Sequence, residues 1–129
     1  MNSNDQHILI ILSTGKSDNG KSATMAFSCG LAALAIGQSA TIFLTSEGTV
    51  WGFEGSGIDI QVQGFLPLSQ LIAQFADSGG SIILCSVCQQ TCGPISPLLN
   101  ASLPILKNAE IGGFATILER SIGGLSLTF

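Results

Sequence analysis

The chain has 129 residues, enough for one domain with a real core and hardly enough for two. Only 9% of them are charged against 46% apolar, so few charges are available to cover a monomer's surface, and other copies of the chain are expected to cover part of it. The net charge of -4 comes from eight acids against four bases with no run of Lys or Arg, which leaves no footprint for nucleic acid.

The opening residues, Met1 to Gln6, are polar and lack the cationic start and apolar stretch of a secretory signal, so a cytoplasmic, reducing location is expected. In such a compartment the four cysteines are read as thiols with chemical or packing roles. His7 to Leu12 is a short apolar run that ends in Ser13, Thr14 and Gly15, the pattern of a strand buried on both faces of a parallel sheet. Ser22 to Ile36 is small and apolar throughout, with Ser22 as a candidate cap and Gly37 as a stop, and predicts a buried helix. Ala40 to Leu44 predicts the second strand, and the order strand, helix, strand implies a parallel pair.

The uncharged stretch from Ser22 to Ser46 is long enough to span a bilayer, but Gly37, Gln38 and Ser39 divide it into a helical and a β-branched half, which predicts no membrane span. From Ser46 to Gly64 the glycines around Trp51 and Phe53 predict a long loop with little regular structure. Leu68, Leu71, Ile72 and Phe75 have helical spacing, so Leu68 to Asp77 is read as a helix ended by Gly79 and Gly80. Ser81 to Leu84 is the third strand, running into Cys85. Gly93, Pro94, Pro97 and Pro104 then prevent a long helix between the cysteines and Lys107, and short turns of helix and loop are expected there. Ala109 to Gly113 reads as a strand, Phe114 to Ile122 as a helix, and Leu125 to Phe129 as a last strand.

Two segments carry candidate chemistry. Gly15 to Ser22 matches the phosphate-binding pattern of Gly, four residues, Gly-Lys-Ser, between a strand and a helix, with Lys21 for the outer phosphates and Ser22 for magnesium. A working site also needs a carboxylate at the end of another strand, and only Glu47 stands near one. A solvated turn leading into a helix is therefore the expectation, in which a simple anion contact would be unsurprising. The second segment is Cys85-Ser86-Val87-Cys88-Gln89-Gln90-Thr91-Cys92. Cys85 stands where a strand gives way to the next element, and a helix amino terminus there can lower a thiol's pKa. Thr14, Lys16, Lys21, Glu47 and Cys85 are expected at the carboxyl edge of the sheet, where a lysine could keep Cys85 ionised.

Cys29, inside the apolar helix, reads as a packing residue, while Cys88 and Cys92 are open between burial and function. A closed zinc site needs four ligands, and a second cysteine pair is missing. His7 opens the first strand at the opposite edge, so neither a metal nor another cofactor is expected.

HILIILSTG, the Ala-rich helix leading to Gly37, ATIFLTSEG, GGSIILCSVC and NAEIGGFATILERSIGGLSLTF, in this order and spacing, resemble the DsrE/DsrF-like family. That group includes YchN-like and sulfur-relay proteins and is also labelled predicted peroxiredoxins. The resemblance implies a single compact α/β domain over residues 1–129, with a mainly parallel five-stranded sheet flanked by helices and assembled as trimers or hexamers. It also implies that Cys85 is the reactive cysteine of the members that carry sulfur, with Cys88 matching a second cysteine of some. Cys92, the loop with Trp51 and the prolines before Leu98 have no counterpart in it.

The leading expectation is a sulfur handler that holds sulfane sulfur as a persulfide on Cys85, exchanged with donor and acceptor proteins that the sequence does not name. Cys88 is the candidate to release or protect that sulfur. The rival expectation is a non-catalytic oligomeric module, with cysteines that only pack and the Trp51 loop covering a pocket at the sheet edge.

Overall fold

A computed structural model describes residues 7–86, 95–96, 101–102 and 104–129. The strands of the main sheet are β1 (His7–Leu12), β2 (Ser39–Leu44), β3 (Ser81–Cys85), β6 (Ala109–Gly112) and β7 (Leu125–Thr128), and β4 (Ile95–Ser96) and β5 (Ala101–Ser102) form a separate antiparallel pair. The helices that lie wholly within the described residues are α1 (Lys21–Ala35), α2 (Leu68–Asp77) and α3 (Phe114–Ser121). The main sheet has the order β6-β3-β2-β1-β7, and every pairing in it is parallel. β1, the most apolar strand with β2, lies inside the sheet, as a strand buried on both faces must.

Alternation along each strand sorts the core into two layers. Ile8, Ile10, Leu12, Ile42, Leu44, Ile82 and Leu84 face α1 and α2 and pack with Phe27 and Phe75, whose rings meet edge to face at 5.8 Å. Leu9, Phe43, Ile83 and Cys85 face the other way and pack with Ile117 of α3. The uncharged stretch breaks at Gly37 (φ +89) into α1 and β2, and no described helix is long and apolar enough to cross a membrane.

Three local expectations are corrected. α1 begins at Lys21 with Gly20 at its cap position in the left-handed region, and Ser22 lies inside the helix. Cys85 is the last residue of β3, paired with Gly112, instead of the first residue after the strand. The chain from Ser46 to Gly52 is a 3-10 helix, with Gly48, Thr49, Trp51 and Gly52 buried in it. Trp51 itself is 0% exposed, and its Nε1 donates to the Thr14 carbonyl at 2.9 Å. An indole of this size gains more from filling the gap at the carboxyl ends of β2 and β3 than from covering a surface pocket, so Trp51, part of a pocket cover in the rival expectation, is a core residue.

Candidate functional site

The carboxyl edge of the sheet is closed by two segments pressed together. Thr45 N donates to the Leu12 carbonyl at 3.1 Å, and a side chain at Gly48 would fall on that same carbonyl. A Cβ at Gly15 would stand 2.6 Å from the Glu47 carbonyl, so the loop after β1 and the 3-10 helix after β2 meet backbone to backbone. Glu47 thus reaches this edge, with its side chain exposed.

The phosphate-like motif is occupied by the chain's own carboxylate. Lys16–Asp18 forms a 3-10 turn, Asn19 (φ 61) and Gly20 (φ 84) reverse the backbone, and Asp18 comes to rest against the start of α1. It accepts hydrogen bonds from Gly20 N at 3.1 Å, Ser22 N at 2.9 Å and Ser22 Oγ at 2.6 Å. The donors that would receive a phosphate are already spent, and Lys16 and Lys21 stand exposed. Burial alone would raise the Asp18 carboxyl, but the hydrogen bonds from the Ser22 hydroxyl and from the amides of Ser22, Gly20 and Lys21 outweigh it and hold the group below its ordinary 3.8.

Asp18→Ala should therefore cost about 1 kcal/mol at neutral pH, as loss of a helix cap does. Because the folded pKa is depressed, this contribution is complete above 3.8 and is lost as pH falls through the lower folded value. Urea unfolding of both proteins in steps below pH 5 checks this, and a gap that stays constant down to the lowest pH would refute the assignment.

Cys85 lies at the same edge but its thiol faces the other layer. It is 1% exposed, in the cluster of Leu9, Phe43, Ile83 and Ile117, whereas Lys16 and Lys21 belong to the turn and helix on the opposite face of the sheet. The expected partnership of a lysine with Cys85 is not formed. Cys88 and Cys92 lie outside the described residues. Cys29 is half-buried on α1, where burial pushes its thiol up, consistent with a packing role. Among the described residues no three His, Cys, Asp or Glu side chains stand close enough to share a metal ion.

A cavity of about 220 Å³ opens between α2 and the segment Leu106 to Asn108, next to Ile82. It lies on the α2 face of the sheet, away from the Cys85 thiol, and so is not the space in which a reaction at that thiol would occur.

One polar constellation escaped the sequence reading. At the amino edge of the α3 face, His7 bonds Ser39 Oγ through Nδ1 and Thr41 Oγ1 through Nε2, both at 2.8 Å. Arg120 donates from one terminal nitrogen to Thr41 Oγ1 at 3.0 Å and to Ser81 Oγ at 3.1 Å. The one available signal was that His7, Ser39, Thr41 and Ser81 all stand in the opening residues of their strands at positions of the same parity.

A family model described as DsrE/DsrF-like matches residues 6–121. Among solved structures, the crystal structure of the ychN protein from E. coli aligns with a TM-score of 0.67 over 96% of this chain and 99% of that chain. Sequence identity is 17%, and the likeness is one of fold. No curated protein sequence matches the chain.

Proposed function

This chain belongs to the DsrE/DsrF-like family, and on that basis we propose that it takes part in sulfur relay, carrying sulfane sulfur as a persulfide on Cys85. The observation that carries the reading is the position of Cys85, the last residue of β3 at the carboxyl edge of an all-parallel sheet, where such folds present their chemistry. The Cys85 thiolate attacks the outer sulfur of a donor persulfide. A sulfur-sulfur bond forms at Cys85, the donor's sulfur-sulfur bond breaks, and the donor leaves as a thiolate. An acceptor thiolate then attacks that outer sulfur and Cys85 leaves. Alternatively, Cys88 attacks the Cys85 sulfur, closing a disulfide and expelling hydrosulfide. Each step is an exchange at constant oxidation level, so the donor supplies all the oxidising equivalents and no cofactor is required.

The burial of Cys85 among apolar side chains favours a second reading, an assembly module in which the thiol only packs. Intact mass spectrometry after exposure to a sulfane-sulfur donor separates the two. Sulfur carriage predicts a gain of about 32 Da that a reductant reverses. No gain, with Cys85 alkylating only on unfolding, would leave the module.

Assembly into homo-oligomers, trimers or hexamers, is part of the proposal. Ile117 of α3 faces the sheet, while Phe114 and Leu118, one turn apart on the helix, are each 64% exposed, and Ile122, the residue that follows the helix, is 80% exposed. An apolar row of this kind on so sparsely charged a chain supports burial against another copy. Leu118→Glu is expected to convert the assembly to a smaller species by native mass spectrometry. An unchanged assembly would place the contact elsewhere.

A further inference from the structure

At the amino edge of the sheet, on the face that carries α3, the Arg120 guanidinium meets no carboxylate among the described residues. The chain has only four Lys and Arg against eight acids, yet among the described residues no carboxylate pairs with Arg120 or His7. Their partners are all hydroxyls, which are neutral. Thr41, which is 0% exposed, accepts from Arg120 at its Oγ1 and can donate its own O–H to His7 Nε2. His7 is then neutral with its proton on Nδ1, donating to Ser39, and every contact is satisfied.

The Arg120 nitrogen that bonds Thr41 and Ser81 is committed, but its other terminal nitrogen and its Nε make no hydrogen bond to any described residue. A half-buried guanidinium held only by hydroxyls keeps its whole field. Burial, and then that field, hold the imidazole below its ordinary value. Among the described residues β1, β2, β3 and β7 carry no other charged side chain, α3 carries Glu119 beside Arg120, and the charge that acts on His7 is that of Arg120.

We propose that this edge binds a small tetrahedral oxyanion, sulfate or a phosphoryl group, between the free side of the Arg120 guanidinium and the protonated His7 imidazole. Protonation of His7 turns Nε2 from acceptor to donor and adds a second positive charge beside Arg120. Alone that state is disfavoured, and a dianion removes the penalty. Binding and protonation are therefore linked reciprocally: the anion raises the His7 midpoint, and affinity for it tightens as pH falls through that midpoint. The site lies across the sheet from the Asp18 turn and at the end of the strands opposite Cys85, and it does not depend on the sulfur reading.

His7 is the only histidine, so its imidazole gives one resolved set of NMR signals. The midpoint is measured in sodium chloride, sodium sulfate, sodium phosphate and glycerol phosphate at equal ionic strength, which cancels general screening. An oxyanion site predicts a midpoint higher by about half a pH unit or more in a divalent oxyanion than in chloride. A larger effect of phosphate identifies a free-anion site, and a larger effect of glycerol phosphate identifies one for a phosphoryl group on a bigger molecule. Arg120→Gln should abolish the difference between salts, and Ser39→Ala, at the exposed rim, should keep it. Equal midpoints of the native protein in all four salts would overturn the proposal without recourse to any variant.

Discussion

Cys85→Ser is expected to eliminate the sulfur-dependent mass gain, whereas Cys88→Ser and Cys92→Ser retain it. The substitution changes one atom, but that atom is the nucleophile. An alcohol is not appreciably ionised near neutral pH and does not take a sulfane sulfur, so the expected loss is complete. Cys85 is buried among Leu9, Phe43, Ile83 and Ile117, so putting a hydroxyl in place of its thiol should also lose about 1–3 kcal/mol of stability. Cys85→Ala separates the two effects, since it deletes the nucleophile without burying a polar group. Loss of sulfur uptake in both variants, with unfolding midpoints nearer to native in the alanine, is the expected pattern. Uptake that survives in Cys85→Ala would refute the assignment of the persulfide to this residue while leaving sulfur carriage by another cysteine to be located from the Cys88 and Cys92 variants.

Trp51→Ala should be the most damaging single change to the fold. The indole is 0% exposed at the junction of the loop after β1, the 3-10 helix Ser46–Gly52 and the ends of β2 and β3. Truncation removes about 3–5 kcal/mol of packing and leaves the Thr14 carbonyl without its 2.9 Å partner, which adds about 1 kcal/mol. Against a total of about 5–15 kcal/mol for a domain, little stability would remain. Trp51→Phe retains most of the ring and should lose markedly less. Urea unfolding monitored by circular dichroism measures both, and a cost for Trp51→Ala below about 1 kcal/mol would mean that the residue is a surface cover after all.

The same edge explains why the phosphate-like pattern misleads. Gly15, Gly20 and Lys21-Ser22 are the positions that such a motif requires, but a pattern says nothing of what fills the hollow. In this chain Asp18 fills it, because Asn19 and Gly20 adopt left-handed backbone and fold the carboxylate back onto the amides of Gly20 and Ser22. A carboxylate inside the motif was visible in the sequence. Its reach was not, since that depends on two consecutive positive φ values.

The fold class and the order of the main-sheet strands and of α1, α2 and α3 were determined by the sequence itself, since they rest on local properties, whereas the pairing of β4 with β5, in a stretch read as turns and loop, was not. Unbroken apolar strands, an Ala-rich helix stopped at Gly37 and the spacing of Leu68, Leu71, Ile72 and Phe75 each declare themselves within a dozen residues. Position along a strand was equally legible, which is why Cys85 was placed at the carboxyl edge and His7 at the amino edge. Which layer a side chain enters was decided only by the tertiary structure. In a strand, neighbouring residues point to opposite faces, and which face receives α1 and α2 and which α3 is set by how the helices pack across the assembled sheet. That choice put the Cys85 thiol beneath α3 and away from Lys16 and Lys21. It drew Trp51 into the core from a loop that looked exposed, and it brought Arg120 back across nearly the whole chain to share Thr41 with His7.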